Sequence, residues 1–154
     1  MANQLLGIKP TLGMAMRFEV TVDGISLGNW AGCSGLGVTF ESEAVASGGL
    51  YDSVRLLPKA LKYSSITLRR VMEKDQSAVV QQWLRQSVRV WLQGDQTYRG
   101  GTAQIDLFDN TAKTVVARWT LRGVYPQEWQ GPELSANGTD FAIETLRLAH
   151  EGFL

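Results

Sequence analysis

The chain has 154 residues, enough for one domain with a hydrophobic core of its own. Its 15 lysines and arginines balance its 15 aspartates and glutamates, so it lacks the basic excess typical of proteins that bind nucleic acids or acidic membranes. The single cysteine, Cys33, excludes an intrachain disulfide, and no apolar run approaches the roughly 20 residues of a membrane-spanning helix. We therefore expect a protein that assembles in the cytoplasm, binds no specific nucleic acid and does not insert into a membrane.

The first half of the chain predicts two strands and two irregular segments. Residues 1–15 show no periodicity and predict an N-terminal arm. Apolar and polar residues alternate over 17–22, before a tight turn at Asp23-Gly24, and again over 36–40. The segment 44–59 is rich in small and polar residues and predicts either a flexible loop or a projecting hairpin whose tip contacts something outside the domain.

A third strand and one helix follow. Alternation over 63–70 predicts the strand. From Val80 to Trp91 the apolar residues recur every three to four positions, which predicts a helix with Asp75 or Ser77 as its N-cap.

The last third of the chain predicts more strands. Alternation over 102–107 and 115–122 indicates a hairpin with one apolar and one polar face. A broken, proline-bounded segment leads to the last strand, 141–149, and residues 150–154 form a C-terminal tail. The sequence therefore predicts a single, mainly β domain over 1–154, an α+β fold with one helix packed on sheet.

The sequence contains few residues suited to catalysis. His150 is the only histidine and lies at the end of the chain. The residues around Cys33 and Ser34 do not form the Gly-x-Ser-x-Gly elbow of a hydrolase nucleophile, and one histidine with one cysteine cannot build a closed zinc site. We expect no catalytic residue, no metal and no cofactor, and a hydrolase using Cys33 or Ser34 is the weakest alternative.

The five tryptophans leave a second alternative open. Trp83, Trp91 and Trp119 lie on apolar faces of predicted elements, where core packing explains them. Trp30 and Trp129 lie in predicted turn regions and could line a pocket. A monomeric ligand-binding β domain is therefore a candidate from a different functional class.

The order and spacing of short motifs over residues 17–152 resemble the tail tube proteins of contractile phages and of phage-derived extracellular injection particles. The motifs that carry the resemblance are Arg17-Phe18-Glu19-Val20, Asp23-Gly24, Leu27-Gly28, Ser34-Gly35-Leu36-Gly37, Gly48-Gly49, Leu57-Pro58, Lys62-Tyr63, Thr67-Leu68-Arg69-Arg70, Ala117-Arg118-Trp119, Tyr125-Pro126, Trp129-Gln130-Gly131-Pro132, Ile143-Glu144-Thr145-Leu146 and Ala149-His150-Glu151-Gly152. Each motif is weak alone, but together they are specific.

The resemblance implies a small β-barrel or sandwich of two packed antiparallel sheets with one helix, related in shape to the tube protein of type VI secretion. It also implies homo-hexameric rings that stack into a hollow tube, which a contracting sheath drives into a target. Sheath protein, baseplate or tube-initiator proteins, a tail terminator or cap, and cargo in the lumen are the implied partners. Neither enzymatic activity nor a cofactor is implied, and a ring close to the baseplate is the alternative within the family.

We expect two sets of contact residues in such a tube. Poor internal periodicity suggests that the arm 1–15, the segment 44–59 and the tail 150–154 contact adjacent rings, and alternation places several polar side chains toward the lumen. The predicted inter-ring residues are Gly48, Gly49, Leu50, Tyr51, Asp52, His150, Phe153 and Leu154, and the predicted lumen-facing residues are Thr39, Glu41, Thr67, Gln104 and Asp106.

Overall fold

The computed structural model describes residues 17–46, 48–49, 54–94, 98–109, 113–136, 138 and 141–154. Its elements are β1 Arg17–Val22, β2 Ile25–Trp30, β3 Gly32–Ser34, β4 Val38–Ala46, β5 Val54–Tyr63, β6 Ile66–Val71, α1 Lys74–Leu92, β7 Gly101–Phe108, β8 Val115–Gln130 and β9 Ile143–Ala149. The mainly β fold class with one helix is confirmed. In the described ranges no helix is long and apolar enough to cross a bilayer.

Seven strands form one antiparallel sheet in the order β2-β1-β7-β8-β9-β6-β3. The 16-residue strand β8 belongs to both halves of this sheet, since it pairs with β7 as far as Val124 and with β9 from Tyr125 onward. The two outermost strands, β2 and β3, are separated in the chain by Ala31 alone. The sheet must therefore curl until its two ends lie close together, with its apolar faces turned inward.

The core fills the inside of this curled sheet. Strands from both halves contribute to a single buried cluster, together with Val80 and Trp83 of α1. The helix packs on β2 and on β8. The described buried apolar side chains are Val20, Val22, Leu27, Trp30, Ile66, Leu68, Val80, Trp83, Ala103, Ile105, Leu121, Val124, Leu146 and Leu148. One continuous core of this kind is the expected product of strands with alternating apolar residues.

The helix begins at Lys74, six residues before Val80, where its apolar periodicity starts, and the predicted caps are wrong. Glu73 is the N-cap, and its carboxylate accepts hydrogen bonds from the backbone N–H groups of Asp75 and Gln76. Ser77, the other predicted cap, is instead buried inside the first turn. A carboxylate at this position satisfies free N–H groups and interacts favourably with the helix dipole.

Three strand boundaries also differ from the predictions. The predicted strand 63–70 is split at Ser64–Ser65 into the end of β5 and the start of β6. Residues 32–34, for which the sequence analysis predicts no strand, form the short strand β3, and the turn follows at Gly35, whose φ of +89° requires glycine. β8 continues through Pro126, because a bulge between Pro126 and Glu128 accommodates the missing N–H.

Candidate self-association surface

Strands β4 and β5 form a hairpin that stands apart from the seven-stranded sheet. They pair with each other over their whole length and with no other strand in the described part of the chain. We call β4 and β5 the projecting hairpin. It contains most of the segment 44–59. The sequence predicts either a flexible loop or a projecting hairpin there, and the structure has the hairpin.

The projecting hairpin has two chemically different faces. Directly opposed residues share a face, and the pairs Phe40–Leu61, Ala44–Leu56 and Ala46–Val54 form the side that we call the apolar face. The pairs Thr39–Lys62 and Glu41–Ala60 lie on the opposite, mostly polar face, where the Lys62 Nζ is 2.6 Å from Glu41 Oε1.

The apolar face is uncovered within the subunit. Phe40 is 68% exposed, and Val54 and Leu56 are each 64% exposed. An isolated two-stranded hairpin is marginally stable in water, and a large exposed apolar surface usually marks an interaction site. The arrangement is therefore suited to being covered by another protein surface.

The base of the projecting hairpin is held by the C-terminal residues. The Tyr63 ring lies 5.5 Å from the His150 ring and 5.2 Å from the Phe153 ring, both in edge-to-face geometry. His150 Nε2 is 2.8 Å from the carbonyl oxygen of Ser64. A Cβ on Gly152 would lie 2.7 Å from Tyr63 Cε2, so only glycine allows the tail to pass so close to this ring.

These contacts decide where the predicted inter-ring residues lie. His150 and Phe153 are only partly exposed and pack on Tyr63 of their own subunit, whereas Leu154 is 61% exposed. Gly48 and Gly49 are exposed at the hairpin tip. Leu50, Tyr51, Asp52 and the arm 1–15 lie outside the described residues. A contact between rings through any of these residues stays a prediction.

The predicted lumen residues fall into three separate places. Thr39 and Glu41 share the polar face of the projecting hairpin. Gln104 and Asp106 lie together on β7, and Thr67 lies on β6 in the other half of the sheet.

On β7, Asp106 is at the centre of a small polar cluster. Arg118 Nε donates to Asp106 Oδ1 at 2.7 Å, and Gln104 Nε2 donates to Asp106 Oδ2 at 3.0 Å. The hydrogen bond and the negative charge of Asp106 raise the pKa of Arg118 further above its ordinary value. Asp106 is itself only 8% exposed in the subunit. The cluster fixes a charged pair on the outer face of β7 and β8.

A buried polar cluster joins α1 to the sheet, and the sequence analysis did not identify it. The Glu144 carboxylate is fully buried and accepts hydrogen bonds from Arg70 Nε, from Ser77 Oγ at 2.8 Å and from Trp129 Nε1 at 3.2 Å. The guanidinium of Arg70 lies 4.0 Å from the centre of the Trp30 ring. The cluster connects β6, β8 and β9 to the first turn of the helix.

The same cluster bears on the ligand-binding alternative. Trp30 is 1% exposed, and Trp129 packs against the core while its indole N–H is bound to Glu144. Both tryptophans are therefore structural, and neither lines the grooves found on the described surface.

Catalysis at Cys33 is disfavoured by its surroundings. Burial raises the pKa of the Cys33 thiol to about 11, so the reactive thiolate is scarce at neutral pH. No group of three or more potential metal ligands occurs among the residues that the structure describes.

Residues 14–154 match the model of the family described as T4-like virus tail tube protein gp19. The chain belongs to this family. The resemblance seen in the motifs is thereby confirmed, and the role of the chain is structural, as part of a tail tube. No curated protein sequence matches the chain.

Solved structures of low sequence identity share the fold. One is a chain from the sheath–tube complex of an extracellular contractile injection system (PVC) in the extended state, with 17% identity, 89% of this chain and 86% of that chain covered, and a TM-score of 0.64. A chain from the baseplate of the anti-feeding prophage has 23% identity, 88% of each chain covered and a TM-score of 0.60. A type six secretion system protein has 13% identity, 88% and 80% coverage and a TM-score of 0.53.

Proposed function

We propose that this chain forms hexameric rings that stack into the hollow inner tube of a contractile tail or injection particle. Family membership supports the tube, and the likeness in fold to chains from sheath–tube, baseplate and cap structures supports a contractile particle. The subunits assemble in the cytoplasm, with a baseplate or initiator complex at one end and a terminator or cap at the other. A surrounding sheath contracts and drives the tube into a target, with cargo in the lumen and no chemical step by the tube itself.

The observation that carries the proposal is the uncovered apolar face of the projecting hairpin. Phe40 buries little within its own subunit, because 68% of its surface is exposed. Covering that surface contributes about 3 kcal/mol per contact at about 25 cal/mol per Å² for an aromatic side chain of about 200 Å². The same contact occurs in every subunit of a closed ring, so small contributions accumulate over the assembly.

Within this proposal the predicted contact residues keep their roles. Gly48 and Gly49 at the hairpin tip, with Leu50, Tyr51, Asp52 and the C-terminal His150, Phe153 and Leu154, contact adjacent rings. Thr39, Glu41, Thr67, Gln104 and Asp106 face the lumen. The polar face of the hairpin supports this for Thr39 and Glu41, because a water-filled bore requires polar side chains.

A matched pair of substitutions tests the proposal. Phe40→Glu places a charge on the apolar face, and Thr39→Glu places the same charge on the opposite face of the same strand. Both positions are exposed in the subunit, so both variants should fold with the same circular dichroism spectrum and melting temperature.

Light scattering after gel filtration and negative-stain microscopy measure the outcome. We expect wild type and Thr39→Glu to form rings of about 102 kDa, six copies of the 17.0 kDa chain, and tubes at higher concentration. Phe40→Glu should remain near 17.0 kDa, because a loss of about 3 kcal/mol weakens each contact more than about 100-fold. A Phe40→Glu protein that assembles like wild type would contradict the role of the hairpin.

A further inference from the structure

The projecting hairpin joins the seven-stranded sheet through two short links that lie side by side. Residues 35–37 lead into β4, and residues 64–65 lead from β5 into β6. Gly35 lies so close to the Ser65 carbonyl oxygen that a Cβ on this glycine would clash, whereas a Cβ on Gly37 would meet nothing. A ribbon attached by two adjacent links, one of which contains two glycines, can bend there as a unit. Its angle to the sheet therefore needs a further support.

The C-terminal residues provide this support. The ring of Tyr63, the last residue of β5, packs edge to face on the rings of His150 and Phe153, whose centres lie 6.1 Å apart. His150 Nε2 lies 2.8 Å from the carbonyl oxygen of Ser64, inside the second link. We call Tyr63, His150 and Phe153 the aromatic clasp.

The tail that carries two of these rings is itself fixed to the rest of the subunit. The Arg122 N–H on β8 donates to the Gly152 carbonyl at 2.9 Å, and the Glu151 N–H donates to the Arg122 carbonyl at 2.7 Å. Phe153 also packs against the hydrophobic core. The aromatic clasp therefore connects the base of the hairpin to the sheet and to the core, and not to a loose chain end.

We propose that the aromatic clasp positions the projecting hairpin for ring closure, because it fixes the angle between the hairpin and the seven-stranded sheet. Tyr63, His150 and Phe153 are then positioning residues, which act through the hairpin. The inference rests on the proposed function, in which the hairpin carries the contact between subunits of a ring. The clasp uses the sides of His150 and Phe153 that face Tyr63, so their exposed sides stay open to an adjacent ring.

The length of the hairpin makes its angle decisive. β4 has 9 residues and spans about 30 Å at about 3.3 Å per residue. Turning the hairpin by about 10° at its base moves its tip by about 5 Å, the distance between neighbouring strands. Rings of five, six and seven subunits close at rotations of about 72°, 60° and 51° per subunit, so about 10° also separates six from the neighbouring numbers. A loosely held hairpin would therefore give mixed rings and open chains.

The ring of Tyr63, and not its hydroxyl group, carries this role. The hydroxyl oxygen is buried and has no hydrogen-bond partner in the part of the chain that the structure describes. A buried hydroxyl without a partner does not stabilise the fold, and phenylalanine fills the same space. Tyr63→Phe should therefore keep the clasp intact.

Three substitutions separate the angle of the hairpin from the stability of the subunit. Tyr63→Ala removes the central ring of the clasp. Tyr63→Phe is the conservative variant that keeps the ring. Val80→Ala is the stability control, because it opens a cavity in the core beneath α1 and leaves the clasp untouched.

The angle of the hairpin is measured in monomers by pulsed electron paramagnetic resonance. All proteins carry Phe40→Glu, which is expected to prevent assembly, and Cys33→Ala, which removes the natural thiol. Nitroxide labels are attached to Ser42→Cys on β4 and to Gln82→Cys on α1, which are both exposed positions. The distance between the two labels then reports the direction of the hairpin relative to the helix.

We expect one narrow distribution of label distances for the parent protein, for Tyr63→Phe and for Val80→Ala. The distribution for Tyr63→Ala should be at least about twofold wider, because its hairpin samples several angles. Without Phe40→Glu and the labels, native mass spectrometry counts the subunits in each ring. Wild type, Tyr63→Phe and Val80→Ala should form rings of six, and fewer than about half of the Tyr63→Ala rings should contain six.

The outcomes distinguish this inference from the proposed function. An unchanged distance distribution for Tyr63→Ala, or rings of six alone, would overturn the inference and leave the proposed function standing. Mixed rings from Val80→Ala would also overturn it, because lost stability would then explain the effect. If Tyr63→Ala does not fold, His150→Ala replaces it and is judged by the same results. A wild-type protein that forms no closed rings would overturn the proposed function, and this inference with it.

Discussion

Glu144→Gln is expected to be among the most destabilising single substitutions in the chain. The carboxylate is 0% exposed and its partner Arg70 is 4% exposed, so neither charge has access to water. Glutamine keeps the shape of the side chain but removes the negative charge and turns one acceptor into a donor. That donor then faces the donors of Arg70, Ser77 and Trp129, which all point at the carboxylate in the native protein.

The expected loss is about 3–5 kcal/mol, the usual effect of leaving one member of a buried ion pair without its partner. A domain of this size is stable by only about 5–15 kcal/mol, so the variant should be close to unfolding. Arg70→Met leaves the carboxylate with two neutral donors and should also cost several kcal/mol. The double variant should lose less than the sum of the two, because no unpaired charge stays buried.

Urea unfolding followed by tryptophan fluorescence measures these differences. The measurement is made in the Phe40→Glu background, which is expected to stay monomeric, so that assembly does not contribute to the apparent stability. A loss below about 1 kcal/mol for Glu144→Gln, or a double variant that loses the full sum, would refute the assignment of this cluster as the joint between helix and sheet.

Two further substitutions test local geometry. Gly152→Ala should destabilise the subunit by about 1–3 kcal/mol, because its φ of +141° and the nearby Tyr63 ring both exclude a Cβ. Gly24→Ala is the control with a positive φ and open space, and an equal melting temperature for the two variants would contradict the contact with Tyr63. The N–H groups of Gln76 and Asp75 lower the pKa of Glu73, so its contribution is present above the unfolded pKa and is lost as the pH falls through the lower, folded pKa. The difference in unfolding free energy between wild type and Glu73→Gln should therefore shrink between pH 5 and pH 3. Unfolding curves at several pH values measure it, and a difference that does not change with pH would contradict the role of Glu73 as the N-cap.

Alternation along the chain predicts the elements that bury one face inside the subunit. It finds β1, the β7–β8 hairpin and β9, because their apolar residues all contact the same core. It does not find the full projecting hairpin. β5 reads Val-Arg-Leu-Leu-Pro-Lys-Ala-Leu-Lys-Tyr, and its bulge opposite Glu41 and Ser42 shifts the phase of its side chains.

The buried ion pair between Arg70 and Glu144 could have been predicted from the alternation of residues along β6 and β9. Arg70 is in phase with Ile66 and Leu68 on β6, and Glu144 is in phase with Leu146 and Leu148 on β9. On a strand, residues two apart share a face, so both charges had to point into the core. The neighbouring arginine, Arg69, has the opposite phase and is exposed, so only one of the two adjacent arginines is solvated.

Contacts between copies are harder to predict from one sequence. Beyond Phe40, the exposed apolar residues of β4 and β5 do not alternate regularly, so their pattern is that of a loop. The exposed apolar pair Val71 and Ile143 lies on two strands, β6 and β9, that are far apart in the chain, and neither residue belongs to a motif that marks an interface. Such a surface becomes visible only when the sheet has brought its strands together.

Electron microscopy of the concentrated wild-type protein, alone and with sheath and baseplate proteins, tests the central claim most directly. The account predicts closed rings of six subunits around an open centre, stacked into rods of constant width, with each hairpin seated on its neighbour. Particles that remain single 17.0 kDa chains under every one of these conditions would contradict it.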